Sequence, residues 1–391
     1  MQINSKLPNL PPNIFSVMSA LATECGAINL AQGFADFPPD ASLADLMHHY
    51  ISAGVNQYAP GIGVAELRKQ LGRKMRQREG ADYDIDTELT ITSGASEAIF
   101  STILALVAAG DEVIILEPAY DIYAPIVELA GGVVRRVALS AEDFSLPWAQ
   151  LRTSIGPNTR MIIINTPHNP SGAVLGLADL QQLAELLADT NIIVLSDEVY
   201  SDLVYMPGRH RSAASVPELK ARSVVVGSLG KTFHLTGWKV GFCFAPAELM
   251  AEIRKVHSIN TFSVHTPSQY ALADLLAQEM GQAPTQKARA SAARVFAPKR
   301  DYFIQGLANT KWRLLAPKGG YFITADYSQI DALKGLTDYE CCKRLTREFG
   351  VAAIPYSAFY EHDPQLPLIR FCFAKQKDTL EQALSKLRAI V

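Results

Sequence analysis

Between residues 89 and 195, short aliphatic and β-branched runs alternate with stretches of helical periodicity. The order is LTIT, a helix over 96–108, EVIIL, a helix over 123–130, VVRRVAL, MIIIN, a helix over 177–188 and IIVLS. Unbroken apolar runs suit strands covered on both faces, and their alternation with helices builds a largely parallel sheet between helix layers. The expected fold class is therefore α/β. In such a sheet, ligands gather in the loops at strand ends.

A chain of 391 residues, 48% of them hydrophobic, can bury a large core, form more than one lobe and enclose a small-molecule site. Its formal charge of −3 argues against nucleic acid or an anionic membrane as a main partner. Cys25, Cys243, Cys341, Cys342 and Cys372 are scattered, with no CxxC pair, which points to a reducing compartment; Cys341 and Cys342 are expected as helix core and flank. The histidines form no HExxH pattern, so no metal site is expected. The start lacks the apolar core of a signal peptide, and the longest apolar run, 98–109, is too short to span a bilayer. The expectation from these observations is a soluble, cytoplasmic protein.

The loops hold the unusual residues. A strand over 221–226 leads into a glycine-bearing loop over 227–230 and then Lys231, with Lys239 eight residues on between Gly237 and Gly241. A lysine in an apolar pocket loses its charge readily and can attack a carbonyl, whereas a lysine left charged is an anchor for phosphate. Gly94, Ala95 and Ser96 join a strand to a helix, where backbone N–H groups and the helix dipole favour an anion, although Ser96 also suits a plain N-cap. Asn169 lies in the turn-rich NTPHNPSG and offers a neutral amide. Asp197 ends an apolar strand and calls for a cationic partner, with Tyr200 three residues on. Arg370 interrupts the apolar run LIRFCF, which fits either a structural ion pair or a two-pronged clamp on a carboxylate.

Other segments complete the outline. A Pro- and Asn-rich arm precedes a helix over 14–22, the QGFADFPP loop carries Gly33, and an amphipathic helix is expected over 66–78. Towards the end come a helix over 286–307 with a kink at Pro298, a helix over 338–349, and a strand in VAAIP.

Taken in order, QGF, SGASEA, EPAYDIY, NTPHNPSG, SDEVY, SLGKTFHLTGWKVG and IRFCFAK resemble the class I/II pyridoxal-phosphate aminotransferases of fold type I. The likeness covers nearly the whole chain and is nearest to the bacterial methionine aminotransferase and kynurenine/glutamine transaminase group, in which Lys239 fits. Ala35 stands where the family usually has proline, a departure that bears on loop rigidity. The resemblance implies a large domain with a mostly parallel seven-stranded sheet between helices (46–290) and a smaller α+β domain drawn from both termini (1–45 and 291–391). It implies pyridoxal 5′-phosphate as cofactor, Lys231 as catalytic amine, and Asp197, Tyr200, Asn169, Tyr120, Gly94, Ala95, Ser96, Ser228 and Lys239 around the cofactor. Tyr58 would reach the cofactor of a second subunit in a homodimer, and Arg370, Asn169 and Gly33 would contact the substrate. The implied reaction moves an amino group from an amino acid to a 2-keto acid with ping-pong kinetics. Phe15, Tyr58, Tyr120 and Phe233 suggest an apolar, thioether or aromatic donor, methionine first. A cysteine-conjugate β-lyase on the same residues is the alternative chemistry, and a ligand-sensing domain without activity is a third possibility.

Overall fold

The alternating segments form a seven-stranded sheet. Its strands are β1 (Leu89–Thr92), β2 (Glu112–Glu117), β3 (Val133–Ala138), β4 (Thr159–Asn165), β5 (Ile193–Asp197), β6 (Ser223–Ser228) and β7 (Gly241–Phe244). The computed structural model describes residues 4–205, 210–281 and 292–391. Across the sheet the order is β1-β7-β6-β5-β4-β2-β3. Neighbours are parallel from β6 through β3, while β7 runs antiparallel to both β6 and β1. The α/β expectation holds.

Residues 113–116 of β2 and 224–226 of β6 are buried throughout, which is why they read as unbroken apolar runs. Successive side chains feed opposite layers: Ile114, Ile162 and Val194 enter one core, and Ile115, Ile163 and Leu195 the other. The edge strand β3 alternates in exposure, and its Arg135 pairs with Glu112 at 2.6 Å, a charged margin that discourages further strand pairing.

A second, antiparallel sheet sets Leu368–Cys372 between Phe322–Asp326 and Ile354–Pro355, with Arg313–Leu315 at its edge. Met18 and Leu30 from the N-terminal segment share its core with Phe303, Ile369 and Leu384. Ile28–Asn29 also pairs in parallel with Val351–Ala352.

Several local expectations change. The VAAIP run divides, Val351–Ala352 pairing with the N-terminal segment and Ile354–Pro355 with the second sheet. Strand β6 continues through Gly227, where a Cβ would lie 2.2 Å from the Phe242 ring on β7, so glycine serves strand packing there rather than loop freedom. Lys231 consequently sits on a helical turn, Leu229–Thr232, and not in a loop. Cys341 and Cys342 are both fully buried. The helix that contains Pro298 runs over Ala292–Leu307, and residues 286–291 of its expected extent lie outside the described residues. Among the described residues no helix is long and apolar enough to cross a membrane.

Candidate active site

Strands β1, β2, β4, β5 and β6 end at one margin of the sheet, and the reversed direction of β7 brings its beginning there too. Strand register aligns Asn165 with Asp197, Asp197 with Val226, and both Ser228 and Thr92 with Gly241. Arg370 arrives from the second sheet. Together these segments enclose a cavity of about 210 Å³ lined by Gly33, Gly94, Ala95, Ser96, Tyr120, Asn169, Asp197, Tyr200, Ser228, Lys231, Lys239 and Arg370.

Lys231 Nζ donates to the Gly33 carbonyl at 3.3 Å and lies 5.8 Å and 5.7 Å from the ring centres of Tyr200 and Tyr321. Burial, reinforced by the positive charges of Arg370 and Lys239, brings its pKa down from 10.5 to about 8. A sizeable neutral fraction is then available near neutral pH, as a nucleophilic amine requires.

Asp197 is buried, and its expected cationic partner is absent among the described residues. Neutral donors surround it instead: the Tyr123 hydroxyl donates to Oδ2 at 2.6 Å and the Val199 N–H to Oδ1 at 3.2 Å. Burial raises its pKa from 3.8 to about 6 in spite of these bonds. A carboxylate so placed gains strongly from any cation brought to it.

Arg370 is wholly buried, and among the described residues no carboxylate pairs with it, which removes the structural ion-pair reading. Nη1 donates to Asn169 Oδ1 at 2.7 Å and Nη2 to the Ala31 carbonyl at 2.9 Å. The guanidinium stacks 3.9 Å from the Phe322 ring centre, and Nε has no partner in the structure. A buried donor without an acceptor is costly, and an anionic ligand would relieve it. Asn169 is held in turn, its N–H donating to Asn165 Oδ1 at 2.8 Å, while Asn165 Nδ2 donates to the Asp197 carbonyl at 2.9 Å.

Gly94 opens the helix Gly94–Leu106 with φ +74°, and a Cβ there would lie 3.1 Å from Lys239 Nζ. At Gly241 a Cβ would come 2.5 Å from the Ala95 nitrogen, so β7 lies directly against the helix start. Ser93, not Ser96, is the N-cap, and its side chain makes no capping bond. Open N–H groups, a helix dipole and a lysine at one point form an anion cradle.

The family model for aminotransferase class I and II matches residues 26–387. The chain belongs to the class I/II aminotransferases. It is 44% identical to the methionine aminotransferase of Escherichia coli (strain K12), covering 99% of this chain and 98% of that one. Identity to the kynurenine–oxoglutarate transaminase of Dictyostelium discoideum is 35%, covering 96% and 93%. The crystal structure of YbdL from Escherichia coli, described as having a methionine aminotransferase function, superposes with a TM-score of 0.94 at 44% identity and full coverage of both chains.

Of the residues singled out in the sequence for cofactor or substrate, Tyr58 and Phe233 stand outside the cavity of this aminotransferase, and Tyr58 is 82% exposed and packs edge-on against Phe262. Phe233 is buried in the core and does not line the cavity, whereas Phe322 does. Sequence reasoning missed Tyr123 and Asn165 as partners of Asp197. The repeat in EPAYDIY marks Tyr123 as one helical turn from Tyr120, but only the fold brings it to β5.

Proposed function

We propose that this aminotransferase binds pyridoxal 5′-phosphate in the 210 Å³ cavity and moves the amino group of an apolar, thioether or aromatic L-amino acid, methionine first, to a 2-keto acid. The observation that carries this reading is a low-pKa amine and a buried carboxylate facing one cavity whose wall includes an unpaired arginine donor. When bound, the cofactor supplies an aldehyde and an electron-withdrawing ring that acidifies the substrate's α-hydrogen.

The chain's own residues fit that group. The Gly94–Ser96 N–H groups, Ser228 and Lys239 suit its phosphate, where a side chain at Gly94 would intrude. Asp197, desolvated and ringed by neutral donors, suits a protonated ring nitrogen: at about 4 Å and an effective dielectric of about 20 the attraction is roughly 4 kcal/mol. Tyr200 and the Asn169 amide suit its phenolic oxygen, and Tyr120 its ring face. Lys231 takes the α-proton and returns it, because an amine with a pKa near 8 holds and releases a proton at similar cost at neutral pH. Arg370, fixed by Asn169 and Ala31, orients the substrate carboxylate.

Phe15, Tyr120 and Phe322 give the cavity apolar walls, and its cations are Lys231, Lys239 and Arg370, each already engaged in this scheme. A second carboxylate on the donor would therefore lack a partner. The names of the relatives above agree with this choice. We also propose a homodimer in which Tyr58 meets the partner's cofactor, a smaller domain made of 1–45 with 291–391 beside a large domain of 46–290, and a cytoplasmic location consistent with five free cysteines. A panel of amino donors against one keto acid tests the substrate: methionine and aromatic donors should lead, with parallel double-reciprocal lines, and a preference for aspartate would overturn the assignment.

A further inference from the structure

Beside the turn that carries Lys231 lies a partly buried ion cluster that the proposed chemistry does not use. Asp202 Oδ2 accepts from Lys74 Nζ at 2.7 Å, and Asp202 Oδ1 pairs with Arg78 Nη1. Lys74 and Arg78 are one helical turn apart on the helix Ala65–Glu79, so a single rigid element presents both cations. Arg78 also donates through Nη2 to the Ser201 carbonyl at 3.0 Å. The same Asp202 Oδ2 accepts from the Thr232 hydroxyl at 2.7 Å. Thr232 directly follows Lys231 on the four-residue turn Leu229–Thr232, and Asp202 lies two residues beyond Tyr200.

We propose that Asp202 is a positioning residue for the reactive amine: through the Thr232 hydroxyl it fastens the turn bearing Lys231 to the turn bearing Tyr200. A turn of four residues has almost no helical stability of its own, so its orientation depends on external bonds. Its other ties are modest. Thr232 Oγ1 also reaches the Ser228 carbonyl at 3.2 Å, the Leu229 N–H bonds the Val240 carbonyl at 3.1 Å, the Leu235 N–H bonds the Gly230 carbonyl at 3.0 Å, and Lys231 Nζ bonds Gly33 at 3.3 Å. The bond to Asp202 is the shortest of these and the one that ends on a charge, and a hydrogen bond to a charged group is about twice as strong as a neutral one. Lys74 and Arg78 keep Asp202 ionised against its burial, so the acceptor stays at full strength over the working pH range. Geometry matters most at a group that transfers protons, where a displacement of about 1 Å can cost about a hundredfold in rate.

The proposal rests on Lys231 as the reactive amine. Thr232→Val removes only the donor and leaves the ion cluster whole, Thr232→Ser keeps the donor, and Asp202→Asn keeps the shape without the charge. In the holoenzyme, Thr232→Val and Asp202→Asn should lower kcat by about tenfold or more with KM for the donor within about twofold. Both should also move the pH midpoint of the bound cofactor's absorbance, while Thr232→Ser keeps at least half of kcat and the wild-type midpoint. Wild-type kcat and absorbance midpoint in Thr232→Val would overturn the positioning role. So would a kcat loss that Thr232→Ser fails to restore, or one that appears with an unmoved midpoint and merely follows a fall in melting temperature. Full activity in Lys231→Ala would instead overturn the underlying assignment, which separates the two failures.

Discussion

The Tyr123 hydroxyl donates to Asp197 Oδ2 at 2.6 Å, with both side chains buried. This bond is the shortest contact to the carboxylate, and it opposes the burial that raises the carboxylate's pKa. Burial also holds the Tyr123 hydroxyl protonated, so it remains a donor at every pH the enzyme meets.

Tyr123→Phe deletes that donor and little else. The carboxylate should then be harder to ionise and hold a cationic ring less firmly. We expect pyridoxal phosphate to dissociate roughly tenfold faster, since hydrogen bonds to charged groups contribute about 1.5–3 kcal/mol, and dialysis followed by absorbance reads it. Unchanged retention would show that the bond has no part in holding the cofactor.

Asp197 also leaves a mark on the stability of the cofactor-free chain. With a pKa of about 6 folded against 3.8 as the ordinary value, the native form keeps a proton in a window where the unfolded form has lost it. Its contribution is therefore present at low pH and disappears as pH rises from about 4 through 6. Asp197→Asn, which never ionises, should gain on the wild type by on the order of 3 kcal/mol across that window. Urea unfolding of both chains at pH 4 and pH 6 measures the difference; a constant gap contradicts it.

Lys231 sets the opposite limb. Its pKa, down at about 8, makes the neutral amine dominant above that value. The rate at which the cofactor-free enzyme takes up pyridoxal phosphate should rise with pH and level off just above 8. A rise continuing to pH 10 would place the amine in an ordinary solvated environment. The unfolded chain keeps the proton up to about 10.5, so this group adds stability as pH climbs from 8 to 10.5.

Arg370→Lys tests the carboxylate clamp. A lysine keeps the charge but cannot hold Asn169 and Ala31 while also presenting two parallel N–H groups. We expect KM for the amino donor to rise about tenfold to a hundredfold, with cofactor affinity unchanged within about threefold. A normal KM would mean that another group binds the carboxylate.

Gly94→Ala addresses the anion cradle. At φ +74° an L-residue meets about 1–2 kcal/mol of backbone strain, and the added methyl would crowd Lys239 Nζ. Affinity for pyridoxal phosphate, titrated by absorbance, should fall by about tenfold or more. The melting temperature of the cofactor-free chain should drop only by the amount the strain explains. Equal losses in both would make the change structural alone.

The layered α/β architecture was readable in the sequence because β2 and β6 are buried on both faces over residues 113–116 and 224–226, and burial on both faces leaves an unbroken apolar run. Lys231, Asp197 and Arg370 stood out for a related reason. Each is a charged group among apolar neighbours, an arrangement costly enough to demand a ligand or a partner.

Which partner each group takes was decided by tertiary structure. Arg370 meets Asn169 across 201 positions, Tyr123 meets Asp197 across 74, and Thr232 meets Asp202 across 30; local sequence holds no signal for such pairs. Tyr58 shows the same limit, since a tyrosine beside a turn reads alike whether it lines a cavity or faces solvent. Period and hydrophobicity reach only as far as the next turn or pleat. The direction of β7 and the docking of the second sheet set the distances on which the chemistry depends.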